Sequence, residues 1–509
     1  MDDFQTDFEE LDDTPNNETN EPNLSDKPKR NNYFASFAVG VVLLFAVSAM
    51  VYYWRYVKPP RAKLHTEGLV IDTAQYNKIP KFVPIDSTKL RLPLAFSLEQ
   101  YCPHRGVQGD QNSCVGWSLA YAARTILEAQ RTGANPNAVR FSPSFLYNQI
   151  HRPDCEGAMM LDAFRAVTND GLLSLDEFPY SESNCDRLPT PEQKLRATRY
   201  KINDYARLSQ SGSQNKIDFQ GIKQTLVQGA PVIIGAMITT TFDTLKHKVW
   251  LPPNDTTDEV LGGHAMCVVG YNDTLAGGAL QIMNSWGEQW GDRGFAWVRY
   301  ADFTKFCKEA YGIAPLPRKD AENDLRLQIK LLDSRRRVVS LQYNTKNLTA
   351  TLRQADQRNR YSLELTNQTP CYTYIYGVNK RGAVRKLFPP DAQTSAYLGI
   401  TGTRRLPVLS VLARNYPQVT VVSTLRPLDS TAQSKVSKRL PQTPLALRLR
   451  RALITKSDSS TLLPMQLLRK ATTLNLDSKK AKQPLTFVVL NLQPPYSKVK
   501  KGRKSFKNR

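Results

Sequence analysis

Three side chains set the chemical question. Cys114 stands in QGDQNSCVGWSLAYAA (108–123), His264 in GGHAMCVVGY (262–271) and Asn284 in QIMNSWGEQWGDRGFAWVRY (281–300). After Cys114, residues Val115, Leu119, Ala122, Ala123, Ile126 and Leu127 recur at the spacing of one helical face, behind a glycine-containing polar stretch. This pattern predicts a helix over 114–131 with the cysteine at its N-terminus. There the unpaired N–H groups and the positive end of the helix dipole favour a thiolate, the form that attacks carbonyl carbon. Such a nucleophile needs a base, a group that orients the base, and donors for the developing oxyanion. His264 follows two glycines where a strand is expected to begin, which puts its ring at a strand end able to face a cleft. The Asn284 side-chain oxygen could accept from one imidazole nitrogen and leave the other for Cys114, with Trp286 shielding the bond from water. The competing readings are an inert core thiol, a structural histidine and a glycine-rich hairpin with packed tryptophans. They do not account for Asn284, Ser285 and Trp286 in direct succession.

The surrounding pattern is α+β, helices first and strands later. Helical stretches are expected at 114–131, 159–170 and 218–228, and strands in PVIIGAMI (231–238), HAMCVVGY (264–271), ALQIMN (279–284) and FAWVRY (295–300). From about 321 the texture becomes β-rich, with RRRVVSLQY, RYSLELTN, CYTYIYGV and VTVVSTLRPL separated by turns. Basic helical stretches at about 432–456 and 463–473 precede a last strand, LTFVVLNL (485–492).

These elements order the chain into six regions. Residues 1–32 form a polar leader whose first 26 positions hold ten acidic and no basic residues, too polar to fold. Residues 33–54, YFASFAVGVVLLFAVSAMVYYW, are an uncharged run long enough for one transmembrane helix. A cleavable signal peptide is the runner-up, weakened by the long leader and by the apolar run continuing past Ala49. Residues 55–90 read as an irregular stalk, 91–316 as the α+β domain, 321–497 as a basic β-rich accessory domain and 498–509 as a disordered basic tail.

The net charge of +23 is unevenly placed: 36 Lys and Arg face 9 Asp and Glu after residue 320, against 33 and 37 before it. That excess suits an anionic surface or envelope polymer. No nucleotide loop and no aromatic-basic interleaving specific to nucleic acid is present. The seven cysteines show no CxxC or Cys/His ligand spacing, so neither a disulfide scaffold, a structural metal nor a cofactor is expected. Cys267 reads as a buried thiol.

With Gln108 six residues before Cys114, then GGHA, then NSWG…WG..G, the stretch 91–316 resembles the papain family of cysteine peptidases. YNQI…DCEGAMMLDAF and GLLSLDEFPY are similar to further segments of that family. The resemblance implies a two-lobed fold, one lobe helical and one β, and a thiol peptidase acting on peptide or protein substrates through an acyl-enzyme. It also implies roles: Cys114 as nucleophile, His264 as base and then acid, Asn284 as its orienter, and Gln108 with the Cys114 N–H as oxyanion hole. Gly157 and Ala158 match the pair that hydrogen-bonds the substrate backbone. Met159 and Met160 begin a specificity pocket expected to favour an apolar side chain, and Gly263 and Trp286 complete the substrate-binding set.

The sequence departs from the family pattern in several places. Gln111 replaces the cysteine three positions before the nucleophile, so Cys155, which resembles that cysteine's partner, pairs differently or stays free, with Cys102 a candidate. Val115 stands where an aromatic residue is usual, and Ala158 replaces the second glycine, as in the bacterial branch. No full-length inhibitory propeptide is evident, which makes steric blocking by the stalk or second domain the expected means of control. YIYGVNKRGAVRKLFPP and RRLPVL resemble a bacterial domain of unknown function that follows peptidase domains. The expectation is a membrane-anchored enzyme of the bacterial inner membrane with its catalytic domain in the periplasm or outside. Its rivals are a non-catalytic peptide-binding module and an envelope amidase or transpeptidase acting on peptidoglycan peptides.

Overall fold

The computed structural model describes residues 43–48, 50, 65, 67–83, 91–210, 216–253, 257–318, 325–344, 349–352, 361–399, 402–406, 415–428, 430–439, 474–478 and 485–491. The chain divides into a unit Met1–Ala62 and a unit Lys63–Arg509. In the first, residues 43–48 and 50 are helical and exposed. The rest of the expected span 33–54, the leader 1–32, the basic tail 498–509 and the helical stretch 463–473 lie outside the described residues. Among the described residues, no helix is long and apolar enough to cross a membrane.

In the second unit a buried helix runs through the core. Its three consecutive segments are Cys114–Gly116, a π-helical Trp117–Arg124 and Thr125–Thr132. Every side chain from Cys114 to Ala129 is buried, because apolar residues surround the axis in the middle segment and both lobes pack on it. The single buried cation there, Arg124, is paired with Glu128 at 2.9 Å and lies over the Phe141 ring. Helices Pro143–Tyr147 and Met160–Asn169 complete the helical side.

The β side is an eight-stranded sheet in the order Tyr205–Arg207, Cys307–Ile313, Val232–Thr239, Val260–Asn272, Ala279–Met283, Phe295–Arg299 and Val249–Trp250, with Ala95–Ser97 also pairing Val260–Asn272. Val260–Asn272 is buried from His264 to Tyr271, as its Val-rich, near-continuous apolar run requires. It starts four residues before His264, so the histidine lies inside the strand opposite Ala236 rather than at its end. Gly262 and Gly263, expected to precede the strand, are strand residues opposite Ile238 and Met237.

The accessory region is a sandwich of a four-stranded and a seven-stranded sheet. Leu325–Leu332 alternates buried and half-buried residues, and Leu325, Leu327, Ile329 and Leu331 meet Ile375, Val419 and Val421 between the sheets. The strand Cys371–Val378 is buried on both faces. Its Tyr372, Tyr374 and Tyr376 join a separate cluster with Phe82, Ala314 and Val436, the last on helix Ser430–Arg439.

The expected stalk differs most. Residues 67–83 carry a strand Leu69–Val70 and a helical turn Thr73–Tyr76 capped by the Asp72 carboxylate, and Leu69, Tyr76 and Ile79 are buried. Apolar side chains spaced too irregularly to form an amphipathic element are each seated in a site built by distant chain.

Candidate active site

Cys114 is the first residue of its helix and is fully buried. His264, on the central strand, directs Nε2 to Asn284 Oδ1 at 2.8 Å. The same oxygen accepts the Ser285 N–H at 2.8 Å, and the Asn284 backbone N–H donates to the Gly294 carbonyl at 3.0 Å, so both the side-chain oxygen and the backbone of Asn284 are held. Trp286 stacks on the His264 ring with centroids 4.5 Å apart, while Phe242 and Trp290 meet the indole edge-on. An imidazole so confined keeps one orientation and one tautomer, which a general base requires.

Gln108 is equally fixed. Its Oε1 accepts the Ser285 hydroxyl at 2.7 Å, its Nε2 donates to the Gln111 carbonyl at 3.1 Å, and its own carbonyl accepts the Tyr180 hydroxyl at 2.6 Å. The acceptor side of the amide is spoken for, which turns its donor side toward the loop leading into Cys114. An amide nitrogen with two hydrogens, beside a helix N-terminus, is a donor set suited to a developing oxyanion.

The structure also shows what fills the cleft. Gly68 offers its carbonyl to the Ala158 N–H at 2.8 Å, and Leu69–Val70 pairs in parallel with Ala158–Met159. The Cys114 sulfur is hydrogen-bonded by the backbone of Gly68 and of Ala265. His65 stacks on Trp286, and its Nδ1 meets the buried Asp243 carboxylate at 2.6 Å. The fit is backbone to backbone: a methyl group on Gly68 would strike the Asn112 carbonyl, one on Gly157 the Gly68 carbonyl, and one on Gly263 the Leu69 carbonyl. Gly157, Ala158, Met159 and Gly263, expected to hold a substrate, are thus holding residues 68–70 of the same chain.

Burial pushes the Cys114 thiol up to about 11, the hydrogen bonds from Ala265 and Gly68 opposing only part of that rise. In this closed arrangement the sulfur is a neutral thiol at pH 7, not the thiolate expected at a helix N-terminus, because desolvation outweighs the dipole.

Met159 and Met160 line a small recess together with Val70, Asp72, Tyr76, Asp162, Glu309 and Tyr311. Burial raises the Glu309 carboxyl to about 7, and the Tyr311 hydroxyl donates to it at 2.8 Å.

Cys155 is joined to Cys185, and Cys102 is a buried free thiol, so the suggested Cys102 partnership does not form. Cys102 follows the helical turn Glu99–Tyr101 with its Sγ directed to the Leu98 carbonyl, while Cys155 lies just before Gly157. The bridge and the Tyr147 hydroxyl, bonded to the Cys155 carbonyl at 2.7 Å and the Gly157 N–H at 3.2 Å, brace the cleft edge. Cys267 is buried, as expected. Sequence reading missed Tyr147, Tyr180, Asp243, His65 and Gly68. Only His65 left a signal, being one of five histidines with no other task.

Residues 103–314 match the model of the papain family cysteine proteases. The chain is 26% identical over 196 residues to an uncharacterized peptidase C1-like protein of Acanthamoeba polyphaga mimivirus, a match covering 37% of this chain and 61% of that protein. It is 27% identical over 194 residues to cathepsin K of Mus musculus, covering 37% and 54%. The chain thus spans between half and two-thirds of the length of these curated relatives. Xylellain, a cysteine protease from Xylella fastidiosa, aligns at 21% identity over 49% of this chain and 96% of its own, with a TM-score of 0.41. The stretch similar to the papain family of cysteine proteases contains Cys114, His264 and Asn284.

Proposed function

We propose that the chain is a thiol endopeptidase held closed by its own His65 and residues 67–70. The observation that carries this reading is the buried His264–Asn284 hydrogen bond on the sheet that faces the helix N-terminus bearing Cys114. With the cleft open, the Cys114 sulfur gives its proton to His264 and attacks the substrate carbonyl carbon. The oxygen gains charge against the Gln108 amide and the Cys114 N–H. Collapse breaks the C–N bond as His264 returns the proton to the departing amine, leaving a thioester on Cys114. Water, deprotonated by His264, attacks that thioester, and its collapse releases the acid and restores the thiol. Asn284 keeps the ring aimed through both halves.

Around this core the proposal has three further parts. The apolar run 33–54 anchors the chain in a bacterial inner membrane, with the peptidase domain in the periplasm or outside. The basic residues after 320 meet an anionic surface or envelope polymer. The substrate is an extended peptide whose backbone takes the place of residues 68–70 against Gly157 and Ala158, where a β-strand partner is already accommodated.

The test is intact-mass labelling with an epoxysuccinyl probe. The solved complex of a Carica candamarcensis cysteine protease with E-64 makes that reagent the natural choice. A single adduct on the Gly68→Ala chain, absent when Cys114→Ala or His264→Ala is added, is expected. An open cleft that never forms the adduct returns the chain to a peptide-binding role. Casein digestion against digestion of purified sacculi separates a peptidase from an envelope amidase.

A further inference from the structure

His65 and residues 67–70 close the cleft, but the segment does not end there. Beyond Val70 it makes a turn anchored by Tyr76, whose hydroxyl meets Ser209 Oγ at 2.6 Å and the Ala310 carbonyl at 2.8 Å. Residues 78–83 then pass between the peptidase sheet and the accessory sandwich, hydrogen-bonded to both. On the peptidase side, Arg207 donates its N–H to the Pro80 carbonyl at 2.9 Å and its Nε to the Ile79 carbonyl at 2.8 Å.

On the accessory side the Lys81 N–H donates to the Gln393 carbonyl at 2.8 Å and the Ser395 N–H to the Lys81 carbonyl at 2.9 Å. Gln393 Nε2 reaches the Lys78 carbonyl at 3.2 Å, and Arg404 Nε the Val83 carbonyl at 3.3 Å. The Phe82 ring lies 5.4 Å from that of Tyr397, and Val83 packs on the sandwich core. Gln393 Oε1 also accepts from Arg207 Nη2 at 3.2 Å, so one side chain ties the two regions together across the strap.

We infer that the accessory sandwich is a clamp: by fixing residues 78–83 it keeps His65 and residues 67–70 in the cleft, and its displacement releases them. The inference rests on the peptidase reading for its consequence but not for its test. A strap fixed beyond both its turn and its cleft end can leave only by breaking all contacts together. Freed at 78–83, it can peel from that end one contact at a time, first the Tyr76 anchor and then the Leu69–Val70 pairing and the His65–Asp243 contact. The accessory region then acts on Cys114 without touching it, and whatever pulls at the sandwich governs access to the thiol.

The experiment uses the full chain and two clamp variants, Gln393→Ala and Phe82→Ala, with Gly68→Ala as the variant that opens the cleft end directly. Amide exchange at residues 67–70 reports the strap, exchange at Val232–Thr239 reports the peptidase core, and peptide-resolved iodoacetamide alkylation reports Cys114. The expected result is a rise of about tenfold in exchange at 67–70 and in alkylation for both clamp variants, with the core strand unchanged. Gln393 is exposed and has no place in a core, so it decides the matter if Phe82→Ala unfolds. Unchanged exchange at 67–70 in Gln393→Ala, where Gly68→Ala raises it, overturns the clamp. A parallel rise in the core strand overturns it too, since the effect is then global. Strap exchange that rises while Cys114 stays unalkylated upholds the clamp and removes the peptidase reading instead.

Discussion

His65 lies flat on Trp286, with ring centroids 4.3 Å apart and planes 9° from parallel, and the same indole stacks on His264. The residue that shields the base from water is therefore also the seat of the segment that closes the cleft. Blocking group and candidate base share one neighbour, and displacing His65 exposes the indole over His264 to whatever enters next.

Gly68→Ala is expected to open the cleft, because its methyl group collides with the Asn112 carbonyl, a backbone atom that cannot swing aside. Second-order alkylation of Cys114 should rise at least about tenfold over the unaltered chain, the size of change that a loss of about 1.4 kcal/mol of strap binding would give. An unaltered rate would mean that the strap is not what protects the thiol.

The closed thiol, raised to about 11, is predominantly protonated at neutral pH, so alkylation of the unaltered chain should climb steadily as pH rises toward 11. In Gly68→Ala the same profile should move to lower pH, since admitting water removes much of the desolvation that raises the thiol. The midpoint of the alkylation profile of each chain, followed by mass spectrometry, checks the direction. Superimposable profiles would detach the raised thiol from the strap.

Asn284→Ala, made in the Gly68→Ala chain, should lower kcat about 100-fold with KM little changed, because the His264 ring loses the acceptor that orients it and not a substrate contact. Gln108→Ala should cost about 100- to 1000-fold in kcat, the usual size for one oxyanion donor. Initial rates on a fluorogenic peptide series separate these effects from binding, and a change confined to KM would contradict the assigned roles.

Asp204 makes the contact between the regions sensitive to pH. Burial raises its carboxyl to about 6, although the Ser395 hydroxyl, at 2.9 Å, and the Tyr205 N–H oppose the rise. The Tyr372 and Tyr397 rings also face it, their hydroxyls without hydrogen-bond partners, and no cation is among the groups that shift it. An acid whose folded value exceeds its unfolded one binds more protons when folded. Its contribution is full below about 4 and falls as pH rises through 6. The loss is on the order of 3 kcal/mol at most, from about two pKa units. Thermal unfolding between pH 4 and 7.5 should show this slope, and Asp204→Asn should flatten it.

What the sequence discloses is what is local. The helix after Cys114, the strands around His264 and the NSWG turn could be read because each carries its own periodicity or turn residues within about twenty positions. The strap could not, since Leu69 is paired with Ala158, far along the chain, and a two-residue strand has no period to detect. The same distant pairing explains why glycine stands at 263. A side chain at 263 would meet the Leu69 carbonyl, which lies against Gly263. The Cys155–Cys185 bridge joins two loops, and loop cysteines carry no pattern that names their partners.

Carrying its own plug in the same polypeptide gives the cleft a ligand at an effective concentration set by tether geometry, of millimolar order for a short flexible connection, whatever the amount of protein. Dilution cannot wash it out. A soluble peptide must therefore compete against an intramolecular occupant, and weak substrates are excluded while the strap is seated. Activation becomes a first-order event in each molecule, governed by what loosens residues 65–83 and indifferent to how many copies are present.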